Sequence, residues 1–438
     1  MPISITEVES YVYRVPLTSA FAWARGTMSD VTNIVTVVHG ELNGASLAGI
    51  GESLPRGPDV TGDVWDGIGD VIGAVGDRLY KLELPASDPS SSVGFIAELM
   101  ASLGQQIQAA ATETENSKPY RGTLSGIEMA LLDIAARAQA LTVAELLGTR
   151  RSEVRVNART IAANVTRAQM AERLRQNAKR FAICRLKGSG GDGVEDLGRL
   201  TTTAEICREL GLSGPLWIDI NGAFAVDVAR DFIEQIGRLA HEDRLSRRLI
   251  IEQPVAKQDI TSLAALQSLA DERAATYGGE IVIMADESVW DREDLKKFHE
   301  AGGCRAINIK IQKSGGLIEA LRTAELSVAQ DPDRRIYVGG IPGTGDIAAR
   351  AAVAVGMALP RLDYFTAAPP SMVVHRVAEP ACRFVDETSN LIAEQTGPGL
   401  GVKIDMVALR SLLHSHRRIP EEFGKSSLAA VSSARLTS

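Results

Sequence analysis

Residues 280–288 read EIVIMADES, an apolar run rich in isoleucine and valine that stops abruptly at Asp286-Glu287-Ser288. A strand of a parallel sheet has this texture, because such sheets are covered on both faces and their strands do not alternate apolar with polar residues. The pattern recurs in both directions. Upstream stand RLIIEQP (248–254), PLWIDING (215–222), FAICRLKG (181–188) and VRVNARTIA (154–162); downstream stand RAINIKIQ (305–312), RRIYVGG (334–340) and the weaker RLDYF (361–365). Each run is followed by a helical stretch, at intervals of roughly 25–35 residues, the spacing of parallel β/α units. A closed barrel and a doubly wound open sheet both satisfy this repeat. Eight units in about 215 residues, with no GxGxxG opening a helix after the first strand, favour the barrel, so the predicted class is α/β.

Outward from these repeats the texture changes. Ile3 to about Gly51 alternates in ITEVESYVYRV and NIVTVVHG and then reaches GIGES, an antiparallel start. From Val64 to Ala138 the period is helical, clearest in SGIEMALLDIAARAQA, where Ile127, Leu131, Ile134 and Ala138 are expected on one face. The chain thus divides into an α+β region (1–140), the barrel (141–366) and a C-terminal segment (367–438). That segment carries the turn TGPGLGVKID, is expected to pack back on the N-terminal region, and ends in a Ser/Ala-rich tail from Pro420 expected to be partly disordered.

Composition narrows the function classes. The 438 residues carry 47 Lys+Arg against 55 Asp+Glu, and the net charge of −8 is spread along the chain, so neither nucleic acid nor an anionic membrane is an expected partner. Glu7 and Glu9 stand where a secretory leader needs an apolar core. Ile347 to Leu359 is interrupted by Arg350 and is too short to span a bilayer, so a cytoplasmic location is expected. Cys184, Cys207, Cys304 and Cys382 are far apart, form no CxxC pair and are expected to be reduced.

Barrel chemistry gathers where strands end, and here the strand ends are charged. Run three ends in Asp219-Ile220-Asn221, run four in Glu252-Gln253-Pro254 and run five in Asp286-Glu287-Ser288. One such acid is ordinarily a helix N-cap or first-turn residue. Three on consecutive strands would converge at the mouth, and like charges there need a cation. All-oxygen ligation without His or Cys suits Mg²⁺, with Mn²⁺ next, and disfavours zinc. Runs two and six end in Arg185-Leu186-Lys187 and Lys310-Ile311-Gln312-Lys313. Residues two apart on a strand share a face, so Arg185 and Lys187 are expected to project into the mouth together. Strands two and six oppose each other in an eight-stranded barrel. Lys187 and Lys310 would then face each other across a substrate, with neighbouring positive charge lowering their pKa values, the geometry of a 1,1-proton transfer. Solvated or salt-bridged lysines are the alternative, which the apolar run AINIKI disfavours for Lys310.

IDIN, IIEQP, ADES and NIKIQKSGG, in this order, with GIGES before them and PGLGVKID after them, resemble the enolase superfamily, in particular its muconate-lactonizing and mandelate-racemase-like members. The resemblance runs from roughly Ile3 to Asp405. It implies a modified (β/α)7β TIM-like barrel under an α+β capping domain made from the N-terminal region and the C-terminal segment. It also implies that Asp219, Glu252 and Asp286 bind Mg²⁺, that Lys187 and Lys310 are the acid/base pair, and that Asn221 and Glu287 orient metal and lysine. The shared chemistry is removal of a proton α to a carboxylate, with the metal stabilising the enediolate. Two capping loops, Thr18–Ser29 and Glu52–Val60, would supply selectivity, with Phe21, Trp23, Arg25 and Arg56 as candidate substrate contacts or ordinary loop residues. A homo-oligomer is a further implication.

Three departures narrow the branch. The subgroup usually carries Lys-x-Lys on the second strand, and this chain has Arg185 first; arginine stays protonated and cannot be a base, so its expected roles are to lower the pKa of Lys187 or to hold a substrate carboxylate. Run seven ends in GGIPGTGD without His, unlike the mandelate-racemase and sugar-acid dehydratase branch with its His-Asp dyad. Similar dipeptide epimerases carry a second Asp in the last run where Phe365 stands. The YVGG run weakly resembles the methylaspartate ammonia-lyase branch, which has His in place of Lys187. The expected function is therefore a Mg²⁺-dependent racemase, epimerase or cycloisomerase acting on a small carboxylate. The alternative is a lyase or dehydratase that eliminates water or ammonia after the same enolisation. A silent barrel has no use for opposed lysines, and a metal hydrolase lacks histidines, since His39, His241, His299, His375, His414 and His416 all lie away from the strand ends.

Overall fold

The computed structural model describes the chain except residues 25, 112–117, 179–180, 182, 368–369, 386–389, 394–396 and 421–438. The tail expected to be disordered therefore lies, from residue 421 on, outside the described residues. The first strands form an antiparallel meander, β1 (Ile3–Trp23), β2 (Gly26–Leu42) and β3 (Ala45–Ser53). Asn43-Gly44 joins the second hairpin with φ of 54° and 79°, as the two-residue turns that match strand twist require. Then follow α1 (Trp65–Leu79), β4 (Glu83–Leu84), α2 (Pro89–Ala110), capped by the Asp88 carboxylate, α3 (Arg121–Ala138) and α4 (Val143–Leu146). In GIGES the alternate glycines let β3 lie directly on α3: a Cβ on Gly49 would sit 2.1 Å from the Ala130 carbonyl oxygen, and one on Gly51 1.9 Å from that of Gly126. The helix α3 is buried on every side from Gly122 to Ala136, not on one face as its periodicity suggested. It is wedged between the cap sheet and the barrel, where no side of it meets water.

The run at 154–162 splits at Asn157 into β5 (Glu153–Arg155) and β6 (Ala158–Ile161). The barrel continues through α5 (Arg167–Ala178), β7 (Ile183–Lys187), α6 (Val194–Glu209), β8 (Leu216–Asp219), α7 (Val226–His241), β9 (Arg248–Glu252), α8 (Ile260–Ala275) and β10 (Glu280–Ala285). Next come α9 (Arg292–Glu300), β11 (Ala306–Ile309), the short α10 (Ile311–Ser314), α11 (Leu317–Gln330), β12 (Arg335–Val338), α12 (Asp346–Ala358) and β13 (Tyr364–Phe365). Strands β6 to β13 pair in parallel in sequence order. Asn157 closes the seam: its N–H donates to the Phe365 carbonyl at 3.1 Å and its side-chain oxygen accepts the Phe365 N–H at 2.8 Å. Ile183, Trp217, Ile250, Val282, Met284, Ala306 and Tyr337 fill the interior, while the residues between them face the helices.

After β13 come β14 (Ala378–Glu379), β15 (Leu391–Ala393), β16 (Lys403–Ile404), α13 (Met406–Ser411) and β17 (Leu413–Ile419). The last strand pairs antiparallel with β1, from Val8↔Ile419 to Tyr13↔Leu413, so the C-terminal segment does return to the N-terminal sheet. The small pairs β14–β16 and β5–β15 belong to neither large sheet. Among the described residues no helix is long and apolar enough to cross a membrane.

Candidate active site

The inward positions of consecutive strands place the acids side by side. In the ladder Asp219 of β8 is paired with Lys187 of β7 on one side and with Glu252 of β9 on the other. Oxygens of Asp219, Glu252 and Asp286 lie within 4.8 Å of one another, fully buried. Lys187 Nζ donates to Asp219 Oδ2 at 2.5 Å and to Asn221 Oδ1 at 2.9 Å, while Lys310 Nζ donates to Asp286 Oδ2. Strands β7 and β11 are four apart in the eight-strand order, so the two lysines approach from opposite sides. Both line a cavity of about 550 Å³ above the strand ends, together with Asn221 and Glu287.

This donor set suits a hard divalent cation. All the oxygens are carboxylate oxygens, and beside them Glu287 Oε2 is buried and, among the described residues, has no hydrogen-bond partner. Burial, reinforced by Asp219 and Asp286 and opposed by Arg185, pushes Glu252 up to about 7. Burial also works against the charge of Asp286, but Lys310 and Lys313 outweigh it and hold that carboxyl below the ordinary range. Burial pulls Lys310 down, yet Asp286, Glu287, Glu252 and Asp219 prevail and keep it above the ordinary lysine value. Its nearest neighbours are these carboxylates, and positive charge brought among them would act in the opposite direction.

Arg185 lines the cavity beside Lys187, as two residues on one strand face should, but it is only 7% exposed and its guanidinium is taken up by the carboxylates. Its Nη2 donates to Asp219 Oδ2 at 2.7 Å and to Glu252 Oε2 at 2.9 Å, its Nε to Glu252 Oε2 at 3.2 Å, and its Nη1 to Thr160 Oγ1 at 2.7 Å. Every donor nitrogen is engaged. Asn221 and Glu287 bond each other at 3.0 Å, and Asn221 also bonds Lys187.

Three supporting residues were not singled out from the sequence. Gln253, at a left-handed φ of 39°, accepts the N–H groups of Asp286 and Ser288 on its side-chain oxygen at 2.9 and 3.2 Å. Lys313 is buried and donates to the Asp286 carboxylate and to the backbone oxygens of Asp286 and Asn308. Asn308 donates to Glu252 Oε1 at 2.8 Å. An Asn and a second Lys flanking Lys310 were a visible signal; nothing marked Gln253 before its φ was known.

A family description, enolase C-terminal domain-like, matches residues 167–408, which take in every one of these strand ends. The chain belongs to this enolase family. The family member is similar to the L-amino acid-D/L-Glu epimerase of Francisella philomiragia, 27% identical over 202 residues, 46% of this chain and 51% of that protein. It is also similar to muconate cycloisomerase 1 of Pseudomonas putida, 26% identical over 344 residues, 78% of this chain and 85% of the other. The chain spans about half the length of the first curated relatives it matches. The crystal structure of a dipeptide epimerase from Cytophaga hutchinsonii, complexed with Mg and the dipeptide D-Ala-L-Val, superposes with a TM-score of 0.74 at 20% identity, covering 95% of this chain and all (100%) of that one, a likeness of fold.

In this enolase-family chain the cap closes the cavity with an apolar wall that includes Phe21, Trp23, Met28 and Met372; Phe21 and Trp23 stack at 6.2 Å. Arg25 lies outside the described residues. Arg56 reaches the cavity rim, but its guanidinium is tied to the carbonyls of Pro342, Thr32 and Pro55 and to Asn33 Oδ1, so it clamps cap to barrel. Buried Glu52 does the same, accepting from Tyr13 and Asn33 of the cap and from the Ala348 N–H of α12. Phe365 is one residue out of the expected register: it is buried beneath α12, and Thr366 lines the cavity instead. Thr366 carries no carboxylate either.

Proposed function

We propose that this chain is an isomerase, a racemase, epimerase or cycloisomerase, that removes the proton α to the carboxylate of a small substrate with Lys187 and Lys310 as its acid and base. The observation that carries this reading is the placement of the two lysines: they border one cavity from opposite strands, each held by a different member of a buried carboxylate trio. The names of the relatives, epimerase and cycloisomerase, support it.

Asp219, Glu252 and Asp286 would hold Mg²⁺, or Mn²⁺ in its place. Once bound, that ion supplies the positive charge that stabilises negative charge developing on the substrate carboxylate as the α-proton leaves. Lys187, steadied by Asp219 and Asn221, meets one face of the α-carbon, and Lys310, steadied by Asp286, meets the other. One takes the proton as the neutral amine and the other returns one as the ammonium. The apolar cap wall keeps water from the carbanionic carbon.

The test is incubation with Mg²⁺ in D₂O against pooled acylated amino acids, dipeptides, hydroxy acids and muconate-type dienes, reading α-proton exchange and mass together. Exchange without loss of mass is expected of a racemase or epimerase, and lactone formation of a cycloisomerase. Loss of water or ammonia assigns a lyase, and absence of both exchange and turnover across the pool overturns the proposal.

A further inference from the structure

The arginine hydrogen-bonded to two of the carboxylates is the least expected charge in the molecule. Glu252 Oε2 accepts two N–H groups from Arg185 and a third from the indole of Trp217 at 2.9 Å, so its lone pairs are used up. Only Oε1, which takes one N–H from Asn308, keeps a lone pair to offer an ion. On Asp219, Oδ2 is shared by Arg185 and Lys187, while Oδ1 accepts only the Asn221 N–H, at 3.0 Å. The guanidinium therefore leaves one oxygen of each acid open to an incoming ion. It cannot swing away, since the rings of Trp217 and Tyr337 lie 5.2 and 5.6 Å from its centre and Thr160 holds its far nitrogen. It cannot lose its charge either.

Two consequences follow. Asp219 and Glu252 are paired and oriented before any ion arrives, so the site does not need an ion to keep its carboxylates from repelling one another. An ion that does arrive meets a fixed positive charge hydrogen-bonded to two of its three ligands, with nearly no water between to screen it. We propose that Arg185 is a tethered counter-cation: it preassembles the carboxylate site in the ion-free protein and weakens divalent-ion binding, so that the ion is held loosely and exchanges. Arg185 thus acts through Asp219 and Glu252 as a positioning residue; the inference rests on the reading of the trio as a metal site.

The experiment is titration with Mn²⁺, free ion being read by its EPR signal, on the full chain as wild type, R185K and R185M, with thermal unfolding of each in EDTA and in 1 mM Mn²⁺. R185M is expected to bind Mn²⁺ at least tenfold more tightly than wild type and to melt several degrees lower in EDTA, with Mn²⁺ restoring the loss. R185K, which keeps the charge, is expected within about threefold of wild type. Equal or weaker binding by R185M overturns the proposal, since a merely structural arginine can only lose affinity when removed. Should R185M fail to fold, wild type decides alone: 1 mM Mn²⁺ is expected to raise its melting temperature by less than about 2 °C, and a rise above 10 °C overturns the proposal. Binding by none of the three proteins at millimolar Mn²⁺ refutes the metal site itself, a different result from tight wild-type binding that R185M loses.

Discussion

The side-chain oxygen of Gln253 accepts the backbone N–H of Asp286 at 2.9 Å, so the residue that follows one acid of the trio fixes the position of the next. The same oxygen takes the Ser288 N–H, and the amide nitrogen bonds Ser288 Oγ at 2.8 Å. Gln253 does this from a left-handed backbone that costs a non-glycine residue of order 1 kcal/mol, strain concentrated at a working site. Q253A strips two buried N–H groups of their acceptor. It is expected to lower Mn²⁺ affinity about 10–100-fold and stability by about 1–3 kcal/mol, read by calorimetric titration and urea unfolding. Unchanged affinity in a correctly folded variant would remove Gln253 from the site.

The two lysines make separable predictions. If each serves one face of the α-carbon, K187A and K310A each abolish racemisation, yet each still exchanges the α-proton of one enantiomer in D₂O, and of opposite enantiomers. The lost exchange should fall by about 10²–10⁴-fold. Proton NMR of each pure enantiomer decides the matter, and loss of the same enantiomer in both variants rules out the two-base arrangement.

Arg56, a candidate substrate contact or ordinary loop residue by sequence, bridges cap strand and barrel loop at the cavity rim. R56A leaves the Pro342 and Thr32 carbonyls without this donor, and a loss of about 2 kcal/mol is expected in urea unfolding. Because the loop it anchors lines the cavity, KM should rise more than kcat falls. A fall in kcat alone would point to a direct part in the chemistry.

Glu128 of α3 is buried against the start of α11, accepting the Ile318 N–H at 3.0 Å, and burial pushes its carboxyl up to about 7. In the unfolded chain a glutamate ionises near 4.3, while the folded one keeps its proton until about 7. Stability from this group is therefore full below about pH 4.3 and is lost as pH rises through 7, by about 4 kcal/mol. E128Q keeps the acceptor and cannot ionise, so from pH 5 to 8.5 the urea midpoint of wild type should fall relative to that of E128Q. Parallel curves for the two proteins would contradict the assignment.

The barrel was legible in the sequence because buried parallel strands must be apolar until they end, and the charges at those ends stand out against them. The trio, Lys187 and Lys310 were found for this reason. What sequence spacing could not convey was partners and register. Arg185 and Lys187 share a face and both line the cavity, as period two requires, but nothing in the run itself says that Asp219 and Glu252 take up the guanidinium. The short strand β13 begins so that Thr366, not Phe365, turns to the cavity, and no pattern in RLDYF distinguishes those registers. Alternating glycines in GIGES were visible as a motif, but the reason for them, the backbone of α3 in contact with β3, is tertiary.

The pairing of β1 with β17 joins residues as far apart as Glu7 and Arg418, 411 positions along the chain. At a synthesis rate of about 5–20 residues per second, roughly 20–80 s separate their emergence from the ribosome. During that interval each β/α unit can dock on its predecessor, while one edge of β1 waits with its N–H and C=O groups open to any passing strand. The nascent chain is most exposed to mispairing at β1 until the strand that closes that edge has been made.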